Sequence, residues 1–96
     1  MNEVVQVFLR QPGVLQRNMG AETILYTDQM DAVHVLNRTA RLIWSLCDGN
    51  HTLADLEQAV RAKFAVREQY DLLPDIRQAL AILLEKGLIV AVDRTG

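Results

Sequence analysis

An α+β domain is what the sequence predicts, and two observations carry that prediction. The hydrophobic period changes near residue 37, from short β-branched runs cut by turn residues to apolar stripes at i, i+3, i+4 and i+7. The chain has 96 residues, half of them apolar, which suits one core and is too little for two of ordinary size. The organisation expected is a single domain over residues 1–96, with strands from about 4 to 36 and helices from about 37 to 87.

The elements follow in order. Val4-Val5-Gln6-Val7-Phe8-Leu9 is rich in β-branched and aromatic residues and reads as a first strand, closed by the turn Gln11-Pro12-Gly13. Glu22-Thr23-Ile24-Leu25-Tyr26-Thr27 and Ala32-Val33-His34-Val35-Leu36 flank the polar tip Asp28-Gln29-Met30-Asp31, a hairpin pattern. The tip lacks Gly, so Asp28 and Asp31 are expected to shape it through side-chain hydrogen bonds. From residue 37 the first helix buries Ala40, Ile43, Trp44 and Cys47, capped by Asn37 or Thr39 and stopped at Asp48-Gly49. Thr52-Leu53-Ala54-Asp55 has capping-box spacing and opens a second helix with the stripe Leu53, Leu56, Val60 and Phe64. The third helix spans about Asp71 to Lys86, with Leu72, Leu73, Ile76, Ala79, Leu80, Leu83 and Leu84 facing inward. Pro74 fits only its first turn, and Gly87 ends it. Leu88-Ile89-Val90-Ala91-Val92 is a short closing strand. Three N-terminal strands, three helices and a terminal strand resemble a winged helix-turn-helix.

Charge narrows the function classes. Ten basic against twelve acidic side chains give a net charge of −2, spread evenly over both halves, so no broad positive field draws polyanions or anionic membranes. No apolar run approaches the ~20 residues needed to span a bilayer. The N-terminus lacks the basic and apolar segments of a signal peptide, and the single Cys47 cannot form an internal disulfide. A cytoplasmic location is expected, with neither nucleic acid nor membrane as a partner. Asn37-Arg38-Thr39 and Asn50-His51-Thr52 match the glycosylation triplet, but in such a chain they read as helix caps.

Catalytic chemistry finds little material. Cys47 lies on the Ile43/Trp44 stripe, where a thiol is buried and inert. His34 and His51 form no H-x-x-x-H or H-E-x-x-H spacing and there is no C-x-x-C, so no metal site is expected. The five glycines lie singly at turns, without a phosphate-cradling loop. No catalytic residue and no cofactor are assigned. A winged-helix DNA-binding regulator is the alternative reading. Its recognition helix would present Arg77, Gln78, Glu85 and Lys86, but Asp71 and Asp75 would sit at the end nearest phosphate and repel it.

The strand Ala32–Leu36 has no Lys, Pro or charge to blunt edge pairing. Beside the third helix it would form a groove for an extended peptide, which would bind by main-chain hydrogen bonds and side-chain pockets. Inside the sheet it would be plain core, and the pattern leaves both open. The same edge could pair with a second copy of the chain to give a homodimer.

Leu36-Asn37-Arg38-Thr39-Ala40-Arg41-Leu42-Ile43-Trp44-Ser45-Leu46-Cys47-Asp48-Gly49, followed by Thr52 and Leu56, resembles the central motif of the PqqD family, roughly L-N-x-T-A-x-x-I-W-x-L-C-D-G-x-x-T. The resemblance extends over about residues 12–90, through the Glu22–Tyr26 strand and Asp75-Ile76, Leu80, Leu83 and Gly87-Leu88-Ile89. Three positions depart from it: Asp31 where Gly is usual, His34 where an aromatic is common, and Pro74 directly before Asp75. The resemblance implies a non-catalytic partner that binds the leader of a ribosomally made precursor peptide as an added strand. It would present that leader to a modifying enzyme, a radical S-adenosylmethionine (SAM) enzyme in pyrroloquinoline quinone (PQQ) biosynthesis. Carried onto this chain, Ala32, Val33, His34, Val35 and Leu36 would form the edge, and the exposed side of Asp75 to Leu84 the wall. Within that wall Ile76, Leu80 and Leu83 would receive apolar leader side chains and Arg77 would pair a leader carboxylate. His34, if exposed, would make binding pH-dependent.

Overall fold

The computed structural model describes residues 4–27 and 34–95 and shows three helices and two small antiparallel sheets. The elements are β1 (Val4–Arg10), β2 (Val14–Met19), β3 (Glu22–Thr27), β4 (His34–Leu36), α1 (Arg38–Ser45), β5 (Asp48–Thr52), α2 (Leu53–Phe64), α3 (Leu73–Glu85) and β6 (Ile89–Thr95). The hairpin tip at Asp28–Asp31, and Ala32 and Val33 with it, lie outside the described residues. No helix among the described residues is long and apolar enough to cross a membrane.

Two strands are additions to the sequence reading. β2 carries Gln16, Arg17 and Asn18 with little buried surface, so it shows no alternation; it is a strand because it pairs residue for residue with β3, from Val14↔Thr27 to Met19↔Glu22. Gly20 makes that hairpin possible: it takes φ +63 at the first of two loop positions, where a side chain would be strained. β5 reads Asp-Gly-Asn-His-Thr, a turn composition, yet it pairs with β1 at Val7↔Thr52 and Leu9↔Asp48 across an irregularity. The Asp48 carboxylate accepts from the Asn50 amide and the His51 ring nitrogen, both at 2.9 Å, and these contacts hold its pKa below the usual carboxylate value.

The helices start where their caps predict, but α1 stops at Ser45, short of the expected Asp48-Gly49, because the chain turns there to pair Asp48 with Leu9 of β1 as the start of β5. Asn37 caps α1, its Oδ1 accepting from the Ala40 amide at 2.8 Å, and Thr52 and Asp55 close a reciprocal capping box on α2. Pro74 sits in the first turn of α3. Gly87, at φ +70, ends α3 with paired bonds from Gly87 to the Leu84 carbonyl and from Leu88 to the Leu83 carbonyl. Arg10 ties the layers together: its Nη1 donates to the Trp44 and Ser45 carbonyls at the C-terminus of α1, at 3.1 and 2.8 Å.

One sheet has the order β5-β1-β6 and the other β2-β3-β4. Both feed a single core, the first with Phe8 and Ile89 and the second with Leu25 and Leu36. The helices complete it with Ile43, Trp44, Cys47, Leu56, Val60, Leu72, Ile76, Leu80 and Leu83. The predicted inward face of α3 holds at Leu72, Ile76, Leu80 and Leu83; Leu73 and Ala79 are only half-buried, and Leu84 is 38% exposed because it lies off the 72/76/80/83 line. The terminal strand is longer than expected, since seven residues of β6 pair with β1.

Candidate functional site

β4 pairs with β3 on one side and ends its sheet. Asn37 then turns the chain straight into α1, so the short strand stands beside the helices instead of within the sheet. Between β4 and α3 lies a groove of about 450 Å³. Its edge is His34, Val35 and Leu36; Asn37, Thr39 and Ala40 close one side; Val60, Phe64 and Val66 line its base with Leu72 and Leu83; and Asp75, Gln78, Ala79 and Ile82 form the wall.

The segment joining α2 to α3 is held by Arg61. Its guanidinium donates to the Arg67 and Tyr70 carbonyls at 2.8 and 2.7 Å and to the Glu57 carboxylate at 3.1 Å. The Tyr70 hydroxyl donates to Asp75 at 2.6 Å and joins that segment to the first turn of α3. The groove is therefore apolar at its base, where Leu36, Val60 and Leu83 are almost wholly buried, and polar at its rim, where Asp75, Gln78 and Asn37 are exposed. An extended chain with apolar side chains at alternate positions fits that arrangement.

His34 is half-buried and its pKa is lowered, mainly by burial and then by the Lys86 ammonium. Cys47 is fully buried in the core, away from the groove, and burial pushes its thiol up to about 12.

Of the residues singled out from sequence, His34, Val35, Leu36 and Leu83 line the groove together. Ala32 and Val33 lie outside the described residues. Ile76 and Leu80 face the core at 0% and 3% exposure, with no surface left to receive a ligand side chain, and Arg77 is exposed but does not line the groove. The reason is the phase of α3: residues 75, 78, 79 and 82 make one stripe, and the core stripe 72, 76, 80 and 83 lies next to it around the helix. The sequence reading places Ala79 in the core and takes the exposed side of Asp75 to Leu84 as the wall without singling out Gln78 and Ile82 within it. The i, i+3, i+4, i+7 series beginning at Asp75 is the signal that would have found them. Phe64 and Val66 were out of reach of any local pattern, since only the packing of α2 against α3 brings them there.

Comparison with known proteins agrees with this geometry. No curated protein matches the sequence. Among solved structures, TbiB1 in complex with the TbiA(beta) leader peptide superposes with a TM-score of 0.70 at 22% identity, over 84% of this chain and 93% of that one. The heterocyclase TruD superposes with a TM-score of 0.62 at 18% identity, over 91% of this chain and 12% of TruD, so the fold recurs there as one part of a much larger protein. The family model for coenzyme PQQ synthesis protein D (PqqD) matches residues 22–89, from β3 into β6 and across the whole groove. The chain belongs to the PqqD family.

Proposed function

We propose that this protein is a non-catalytic recognition module for the leader of a ribosomally made precursor peptide. The leader adds as a strand to the outer edge of β4, lies in the groove walled by α3, and is held there for a modifying enzyme, of radical SAM type in the PQQ case. The observation that carries this reading is that β4 ends its sheet and lines the groove opposite α3. Backbone groups of β4 supply the ladder, and Val35, Ala79, Ile82 and Phe64 supply the apolar contacts. Family membership supports the role, and so does the likeness to TbiB1, whose structure holds a leader peptide. The work would be done in the cytoplasm, without a cofactor, a membrane or nucleic acid.

The test is a ¹⁵N–¹H NMR titration with the short peptide encoded beside the gene, and a DNA duplex as control. Saturable shifts confined to His34–Leu36 and to Asp75, Gln78, Ala79 and Ile82, with DNA inert, are expected. Silence toward the peptide, or shifts on α2 and α3 caused by DNA, would overturn the reading. Concentration-dependent shifts at β4 without peptide would instead indicate self-pairing through the same edge.

A further inference from the structure

Beside the groove is a second recess, of about 730 Å³, between the β2–β3 turn, α1 and the end of α2. Arg38 and Arg41, one helical turn apart on α1, and Lys63 in the last turn of α2 line it, and no carboxylate does. The ion pairs among the described residues are His51–Asp48 and Arg61–Glu57, so none of these three cations is neutralised by a described carboxylate. Arg41 donates one N–H to the Gly20 carbonyl at 3.2 Å, which steadies the guanidinium, and its other donors have no partner among the described residues. In a chain of net charge −2 this is a local reversal of sign, and a concave site of one sign concentrates counter-charge.

The recess adjoins the groove. Phe64 lines both, and the chain passes from Leu36 and Asn37 in the groove directly to Arg38 in the recess. A peptide lying along β4 that runs on past Leu36 therefore meets the cations next.

We propose that this recess takes carboxylate side chains of the same peptide, so that an acidic segment flanking the strand-forming stretch is part of what the domain recognises. The proposal rests on the peptide reading above. The shared Phe64 places the recess next to the peptide groove and favours a peptide over nucleic acid, for which a chain of net charge −2 offers no broad positive field.

The test is affinity and chemical-shift mapping with the peptide encoded beside the gene, the same peptide with Asp and Glu changed to Asn and Gln, and hexaglutamate. Each is titrated into the wild type and into the doubly substituted Arg38→Glu/Lys63→Glu protein. Both positions are exposed, so the variant keeps its unfolding midpoint. We expect about a tenfold loss of affinity from the double substitution, about the same loss from neutralising the peptide, and no further loss from combining them, with groove shifts retained. Groove shifts with unchanged affinity in the variant would overturn the recess inference and leave strand addition standing. A peptide that moves neither region would defeat strand addition, and hexaglutamate then decides the recess separately. Saturable, salt-sensitive shifts at Gly20, Arg38 and Lys63, lost in the variant, sustain it; silence overturns it. DNA moving those resonances while hexaglutamate does not would also overturn it.

Discussion

Val35 stands at the middle of β4, is 50% exposed and lines the groove. Burying a whole valine stabilises by roughly 1.5–3 kcal/mol, so covering the exposed half with a bound strand contributes about 1 kcal/mol. Val35→Asp removes that contribution and places a carboxylate under the peptide, where an unpaired polar group costs about 1–3 kcal/mol. The sum is about 2 kcal/mol or more, roughly a thirtyfold loss of affinity. In the free protein the carboxylate still meets water, so the change in stability stays within about 1 kcal/mol. Calorimetry with the peptide encoded beside the gene reads the affinity, and a thermal melt reads the stability. Val35→Thr serves as control, because it keeps the β-branch and the volume and should lose much less. A Val35→Asp protein that melts like wild type and binds within twofold of it would refute strand addition at β4.

Other outcomes follow from the same structure. Ala65 ends α2 in the left-handed region at φ 50, ψ 46, which costs an L-residue about 1–2 kcal/mol. Ala65→Gly removes that strain at the expense of some chain entropy, and should stabilise by about 0.5–1 kcal/mol, raising the melting midpoint by roughly 3–6 °C. Cys47 should resist iodoacetamide in the native protein at pH 8 and react at an ordinary rate in denaturant. Its folded pKa of about 12 lies above the usual 9.0, so its contribution is fully present below pH 9 and is lost as pH rises toward 12. His34 has its pKa lowered from 6.5, so it is mainly neutral from pH 7 to 8 and peptide affinity should be flat there; its contribution to stability is lost as pH falls below 6.5, and a binding titration at lower pH should show any change. Affinity that changes steeply between pH 7 and 8 would show that another group titrates at the site.

The division of labour within α3 explains why such a small domain can both fold and bind. One stripe of the helix, from Leu72 to Leu83, is wholly committed to the core, and the stripe beside it, Asp75, Gln78, Ala79 and Ile82, is left half-covered. A groove wall made this way needs no loop, because the buried stripe beside it holds it in place, and a wall formed in advance lowers the ordering cost of binding. The Arg61 clamp and the Tyr70–Asp75 hydrogen bond tie down the connection between α2 and α3.

What could be read from the chain alone was whatever depends on neighbours within about one turn. The Asn37 cap, the Thr52/Asp55 capping box, Pro74 in a first turn and Gly87 as a stop are each written in three or four consecutive residues, and all lie where they were expected. The core stripe 72, 76, 80 and 83 was legible for the same reason, since helical periodicity reports which side meets oil. Tertiary pairing decided the rest. β2 and β5 are strands because β3 and β1 lie beside them, against their own polar composition. That β4 ends its sheet, and that residues 75, 78, 79 and 82 and not 76 and 80 face it, depend on how α3 is rotated in the core, and no local pattern records a rotation. Periodicity tells which face of a helix is buried, whereas a binding site is built from the surface next to that face, and only packing decides where the burial stops.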